Sequence, residues 1–295
     1  MLAEEIRIIS GENDFQTASY EKNEKTLDYE ISKNPTYGEL ISIVRGLNAA
    51  SEFFDVKAAI LSTGTGICAV SLGKTLEEAV KNVMDSNPID FMSSTLTVTS
   101  EVDSDVVKLL KDTNIIVAPK YTKNAIEYLQ AHDICYLTIH TPLKEYKKYQ
   151  QNEVKVTPLG TLTQIPNLSE LDKDKFKVVS KTKPTVEQIE DSVFAWKVAK
   201  HISTQAIVIA KDLKTTAIVQ GLQKSSVEYA IDHSCDMSKE AILASDLPIT
   251  VHDVNVAAQG RISLIILPFA QKDIVAAADK YNMVVITTGM TNILY

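Results

Sequence analysis

The sequence predicts an α/β protein, a duplicated three-layer α/β/α fold, and three observations carry that reading. Apolar runs of strand length alternate with segments of helical apolar period. The same order of elements occurs twice. The two copies also keep a constant spacing, since Ala58 to Ala206 is 148 positions and Ile115 to Leu264 is 149. That period is far longer than the roughly 20–50 residues of a solenoid unit, so it marks a duplicated domain. Alternating strand and helix in each copy imply a parallel or mixed sheet with helices on its faces.

The first copy opens with GELISIVRGLNAASEFF (38–54), where Leu40, Ile43, Leu47 and Ala50 share a helical face. Strand KAAIL (57–61), a break, strand ICAV (67–70), Gly73 and helix TLEEAVKNVM (75–84) follow. NIIVAP (114–119), helix TKNAIEYLQAH (122–132) and strand CYLTI (135–139) complete it. The second copy opens with TVEQIEDSVFAWKVAKHI (185–202), a helix with Val186, Ile189, Val193 and Trp196 on one face. Thr185 and Gln188 form a capping box directly after Pro184. AIVIA (206–210), AIVQG (217–221) and a further helix lead to SLIILP (263–268), QKDIVAAADKY (271–281) and MVVITT (283–288). Between the copies the chain is polar and Lys-rich, with Pro158, Pro166 and Pro184, and TPLGTLTQIP inside it reads as a short hairpin. The organisation is therefore residues 1–140 as a first lobe with its N-terminal segment, 141–184 as a connection, and 185–295 as a second lobe. A ligand is expected between the lobes or at strand C-termini.

Composition narrows the function classes. With 38 acidic against 30 basic residues the net charge is −8, which argues against a dedicated nucleic-acid surface. No apolar run approaches the roughly 18–20 residues of a membrane span, and MLAEEIRIISGEN lacks the basic-then-apolar order of a signal peptide. A cytoplasmic protein, with neither membrane nor nucleic acid as partner, is the expectation. Cys68, Cys135 and Cys235 show no metal or disulfide spacing and read as small residues in a reducing compartment. His132, His140, His201, His233 and His252 show no ligand spacing either, so no metal site is expected. The carboxylate pairs Glu77/Glu78, Asp172/Asp174 and Glu187/Glu190 read as solvated surface. STGTGI (62–67) follows a strand and invites comparison with a phosphate cradle. It lacks a Lys, however, and a strand rather than a helix N-terminus follows it.

Six segments, in order along the chain, resemble one family. FAWKVAKHISTQAIVIAKD (194–212) is similar to a helix-to-strand stretch of the formyltransferase domain of AICAR transformylase/IMP cyclohydrolase. ISGENDFQTASY (9–20) resembles that family's RYGENPHQxAAFY, NPIDFMSSTLTVTSEVD (87–103) its DPVSAFGGIVALNxxVD, and IIVAPKYTKNAIEYL (115–129) its IIAPGYSEEALEIL. AILASDLPITVHDV (241–254) and IVAAADKYNMVVITTG (274–289) resemble its ASDAFFPFxD and VIAAADEHGIAMVFTG segments. The resemblance implies a duplicated, cytidine-deaminase-like α/β/α domain, a homodimer, and transfer of the formyl group of 10-formyltetrahydrofolate to the amine of AICAR. The cyclohydrolase activity of the family belongs to a separate domain with no counterpart among these segments.

The residues that the resemblance would place in the site are mostly changed. The family's Lys-His pair, its oxyanion stabiliser and acid/base, falls on Ser62 and Thr63. Neither hydroxyl titrates near neutrality or carries charge. Ile9 and Ser10 replace the phosphate-binding Arg-Tyr, Phe15 replaces a His, and the paired glycines fall on Ser93 and Ser94. QGLQKSSVEY (220–229) keeps Gly221 and Gln223 but has Ser225 and Ser226 where an Arg is expected. Gln205 stands at an Asn position, LPITV (247–251) replaces AFFPF, and TGMTNILY (288–295) replaces TGxRxFxH, while Asp253 keeps a carboxylate. Gly11, Glu12 and Asn13 persist as a turn, and Arg7, one strand period before Ile9, is positioned to reach partway into the pocket. The ligand-pocket candidates are thus Gly11, Glu12, Asn13, Ser62, Thr63, Gln205, Gln223 and Asp253, with no catalytic residue assigned. Two principal readings stand. One is a catalytically silent homologue that binds a nucleotide- or folate-like ligand or acts as a scaffold. The other is a divergent active formyltransferase using 10-formyltetrahydrofolate. An enzyme of altered chemistry is a third, for which no new nucleophile–base pair is visible.

Overall fold

Strand β2 (Lys57–Ser62) is apolar on both faces, and so is β3 (Ile67–Gly73), which returns antiparallel to it through a turn at 63–66. Runs of that kind belong in the middle of a sheet covered on both sides. The computed structural model, which describes residues 7–13, 15–88, 94–110, 113–221 and 225–294, puts them there. On the far side of β2 lies β4 (Thr95–Val98), antiparallel to it. Then come β5 (Ile115–Ala118) and β6 (Cys135–Ile139), parallel, and β1 (Tyr29–Ile31) as an antiparallel edge. The second half repeats this arrangement. β10 (Ile207–Lys211) pairs antiparallel with β11 (Lys214–Val219) on one side and β12 (Ile242–Ser245) on the other. β13 (Leu264–Leu267) and β14 (Val284–Thr287) follow in parallel, with β9 (Lys177–Val178) as the antiparallel edge.

The two halves do not stand apart as separate lobes. Their β3 and β11 edges join antiparallel, giving one twelve-stranded sheet in the order β1-β6-β5-β4-β2-β3-β11-β10-β12-β13-β14-β9. The seam has a side-chain stitch, since the Thr215 hydroxyl donates to Val70 O (3.2 Å) and accepts from Val70 N (3.0 Å). Strand alternation divides the core. Ala58, Ile60, Val208 and Ala210 face a layer shared by both halves, whereas Ala59 and Leu61, and separately Ile207 and Ile209, face two local cores behind the sheet.

Helices α1 (Tyr37–Ala50) and α5 (Val186–Ala199) pack on the shared layer. Behind the sheet the first half carries α2 (Leu76–Ser86), α3 (Ser104–Lys108) and α4 (Lys123–Ala131). The second half carries α6 (Ser226–Ser234), α7 (Val251–Gln259) and α8 (Lys272–Lys280). The capping box read at Thr185 is formed: Gln188 N donates to Thr185 Oγ1, and Thr185 N donates to Gln188 Oε1. Thr36 and Glu39 make the same box at α1, 149 positions earlier. The connection carries an exposed hairpin, β7 (Glu153–Thr157) with β8 (Gly160–Gln164), turned at TPLG with Gly160 at φ +127°.

Just beyond the ends of α1 and α5 lie Glu52 and His201, again 149 positions apart, and they meet. Glu52 is 8 % exposed and accepts from Lys200 Nζ at 2.8 Å, while Lys147 Nζ lies 3.7 Å away. Lys200 Nζ also donates to Ser169 O (2.6 Å), and Lys197 Nζ donates to Glu52 O (2.8 Å). Burial alone would raise the Glu52 carboxyl; His201 and Lys200 beside it outweigh that and hold it well below the carboxylate range. The His201 Nε2 is 3.7 Å from Glu52 Oε1, too far for a hydrogen bond. Burial therefore prevails over the carboxylate, and the imidazole's pKa is pushed down.

This knot makes stability fall on acidification. The unfolded chain protonates His201 near its ordinary value of about 6.5 while the folded chain resists, so stability drops from there downward. Glu52 adds a second decline below about 4.5, as the unfolded carboxylate takes protons that the folded one refuses. Urea midpoints should be highest above about pH 7 and fall in both windows, with His201→Gln flattening the upper one. Glu52→Gln, which leaves the Lys200 ammonium buried without its counter-ion, should cost about 3–5 kcal/mol at pH 7.5. A midpoint unchanged between pH 7.5 and 5.5 would show that this cluster is not the titrating element.

Candidate functional site

The sheet end where β2 finishes also receives the N-terminus of β4, the C-terminus of β11, the N-terminus of β10 and the C-terminus of β12. Ser62 closes β2 and is fully buried. Its hydroxyl donates to Ser42 O on α1 at 2.8 Å, and the Ser42 hydroxyl donates back to Ser62 O at 2.8 Å. This reciprocal pair clamps α1 onto the sheet. One turn along the helix, a Cβ at Gly46 would clash with Thr97 Oγ1 and come within 3.0 Å of Ser62 Oγ. The small hydroxyl and the missing methyl are what allow that approach.

Thr63, half-buried, begins the β2–β3 turn. Its N–H donates to Gly66 O (2.8 Å), and its hydroxyl lies 2.9 Å from that of Thr65. STGTGI is accordingly a hairpin turn with a strand after it. The turn touches both halves: Gly64 packs on Gly38 at the start of α1, and a Cβ on Gly66 would clash with the Gln220 side chain after β11. Gln220 Oε1 is buried there without a hydrogen-bond partner.

The GEN turn lies beside the same helix start. Tyr37 N donates to Ser10 O and Ile9 N to Pro35 O, both at 3.1 Å. Within the turn Gly11 N donates to Gln16 O (2.8 Å), and Gln16 Oε1 accepts from Asn13 N (3.0 Å) and Asn13 Nδ2 (2.6 Å). Gly11, Glu12 and Asn13 therefore hold a turn closed by Gln16, with Glu12 and Asn13 exposed. Arg7 does not extend a strand toward the pocket. Residues 7–10 lie outside any strand, Arg7 is exposed, and its N–H donates to Asn34 Oδ1.

Gln205 enters β10 through a cis peptide after Thr204 and is half-buried. On either side of it the fully buried Asp246 accepts from Thr204 Oγ1 (2.7 Å) and Ala206 N (2.9 Å). Burial pushes the Asp246 carboxyl up, against those bonds. The C-terminal segment joins here, with Thr204 N donating to Leu294 O and Leu294 N to Thr204 Oγ1. Gly221, at φ +85°, bridges to Thr204 in a conformation that favours glycine.

Two candidates do not join this group. Asp253 caps α7, its Oδ2 accepting from Thr250 N (2.8 Å) and Thr250 Oγ1 (2.7 Å), so its carboxylate is occupied by its own helix. The carboxylate that faces the sheet end from this segment is Asp246, seven positions earlier, which sequence reasoning missed. The visible signal was its place directly after a buried strand. Gln223 and Ser93 lie outside the described residues. Among the described residues no cluster of three His, Cys, Asp or Glu is arranged to hold a metal.

Comparison with known proteins adds three findings. The family described as the AICARFT/IMPCHase bienzyme matches residues 2–233. The chain is 31% identical over 296 residues to the bifunctional purine biosynthesis protein PurH of Thermoanaerobacter sp., covering 95% of this chain and 57% of that protein. It is 30% identical over 300 residues to its namesake in Caldicellulosiruptor saccharolyticus, with the same coverage, and 28% over 277 residues to that of Dictyostelium discoideum, covering 88% and 51%. The chain thus spans little more than half the length of these relatives.

The clamp at Ser62 yields a stability test. Ser62→Ala removes one buried hydroxyl and should cost roughly 1 kcal/mol in urea unfolding. Ser62→Lys must bury an ammonium against α1 and should cost more than 3 kcal/mol or displace the helix. If Ser62→Lys unfolds at the wild-type midpoint, the position is roomier than the clamp implies.

Proposed function

The chain belongs to the AICARFT/IMPCHase bienzyme family, and from that premise we propose a catalytically silent or strongly diverged homologue of its purine-biosynthesis formyltransferase portion, kept as a ligand-binding or scaffold protein. The observation that carries the proposal is Ser62. At the position where the resembled motif has Lys, this chain has a buried hydroxyl whose bonds are made to α1. Thr63, at the His position, offers a second neutral hydroxyl. A positioned acid/base is worth about 10²–10⁴-fold and an oxyanion donor about 10²–10³-fold. Without either, and with Ile9 and Ser10 at the Arg-Tyr positions, little rate enhancement is left. No helix among the described residues is long and apolar enough to cross a membrane, and we place the protein in the cytoplasm.

A second reading, a divergent transferase using 10-formyltetrahydrofolate, draws support from one feature. Gln205 keeps an amide at the sheet end and is framed by hydrogen bonds to the buried Asp246. We also propose a homodimer. The β7–β8 hairpin exposes Val154, Val156 and Leu162, and an isolated two-stranded hairpin of that kind is stable only when covered.

Purified protein supplied with AICAR and 10-formyltetrahydrofolate should form no tetrahydrofolate above a no-enzyme control. Ser62→Lys with Thr63→His should not restore turnover, because Ile9 and Ser10 leave the phosphate grip uncharged. Turnover that Gln205→Ala abolishes would establish the second reading instead. Light scattering at micromolar concentration should give about twice the chain mass, falling toward the monomer in Val156→Lys with Leu162→Lys. A monomeric wild type would refute the dimer.

A further inference from the structure

A cleft of about 850 Å³ opens on the face that carries α1, bordered by the C-terminal segment through Thr291, Ile293 and Leu294, the segment that joins Thr204 at the sheet end. None of Gly11, Ser62, Thr63, Gln205 and Asp253 lines it. α1 lines it through Ile41, Val44, Arg45 and Asn48, and the segment after the hairpin through Ile165 and Pro166. Its size is that of pockets for small organic molecules.

The charges in the cleft are unevenly satisfied. Lys200 is bound to Glu52 and Ser169. Glu153, the carboxylate on the rim, accepts from Gln164 Nε2 at 2.5 Å. Asn48 Oδ1 accepts from Gln150 Nε2 at 2.9 Å, which leaves its own amide N–H groups to donate. Arg45 has nothing comparable. Its Nε is shielded from water without a hydrogen-bond partner, and its guanidinium forms no ion pair among the described residues. His201 Nε2, also in the lining, is likewise shielded and unbonded. The chain has eight more acidic than basic residues, and none of the described carboxylates pairs with Arg45. A guanidinium in that condition is matched by an oxyanion brought from outside, planar or tetrahedral, which presents two oxygens to two parallel N–H groups. Ile41 and Val44 on α1 and Ile165 and Pro166 after the hairpin suit an apolar portion of such a ligand.

We infer that this cleft binds a small amphipathic organic anion, its acidic group on Arg45 and its apolar body against the apolar lining that includes Val44 and Ile165. The cleft shares the C-terminal segment with the sheet end, so this inference deepens the ligand-binding reading and rests on it; sulfonate titration reads the cleft and formyl transfer reads the sheet end, so the failure of either is seen separately.

The probe is 8-anilinonaphthalene-1-sulfonate, an aromatic body with one anionic group, titrated by fluorescence against the full chain. Binding should saturate at one per chain, weaken as salt rises, and become at least tenfold weaker in Arg45→Gln, with Arg45→Lys between. The uncharged parent, N-phenyl-1-naphthylamine, should bind wild type and Arg45→Gln alike. Urea midpoints of the variants show that they fold. Val44→Glu, at an exposed wall position, gives a second handle and should weaken the sulfonate by setting a carboxylate on the wall that repels it. Equal sulfonate affinity in wild type, Arg45→Gln and Val44→Glu would overturn the inference. So would the absence of saturable binding, or binding seen only in a dissociated chain, which would mean that a second copy covers the cleft.

Discussion

Each half of the chain builds a six-stranded unit whose hairpin leaves one strand, β3 or β11, with a row of unpaired N–H and C=O groups. Satisfying those edges is the constraint from which the rest of the molecule follows. Because the two edges pair with each other, the sheet runs unbroken across the duplication, and α1 and α5 come onto one shared layer. The Thr215 hydroxyl reinforces the junction where regular pairing is short. The same pairing carries the Thr63–Gly66 turn of one half against Gln220 of the other, so the sheet end assembled there belongs to neither half alone.

That end is organised by close packing rather than by charge. Ser42, Ser62, Gly46 and Thr97 bring helix and sheet within reach of direct hydroxyl-to-carbonyl bonding. A long basic side chain and this spacing exclude one another. The change at Ser62 is therefore coupled to the helix that covers it, and a single substitution back toward a charged residue meets a surface already closed. In the second half, Asp246 occupies the equivalent depth but is spent on holding the Thr204–Ala206 backbone.

The repeated elements were legible in the sequence because a strand buried on both faces needs an unbroken apolar run and a covering helix needs a periodic one. KAAIL, CYLTI and the capping box at Thr185 meet those needs by local chemistry alone. β4 and β12 escaped because TLTV and ILAS are four-residue pieces whose burial depends on neighbours far along the chain. The site was legible as a set of positions only through family resemblance. What each residue does there was not, since Asp246 and Asp253 are alike in sequence, and tertiary burial makes one a backbone anchor while a local box makes the other a helix cap. The Glu52 knot was equally hidden, since Lys197, Lys200 and His201 lie 145–149 residues from Glu52.

Glu52 and His201 occupy matching positions in the two copies, yet they are chemically unlike, and that asymmetry has a consequence for assembly. Two first halves docked across the same axis would press carboxylate against carboxylate, and two second halves would crowd the Lys197 and Lys200 ammonium groups together without relief. Only the mixed pairing sets a carboxylate against an ammonium. The knot thus works as an address: each half of this chain is told apart from a duplicate of itself, and the partner it accepts is the other half.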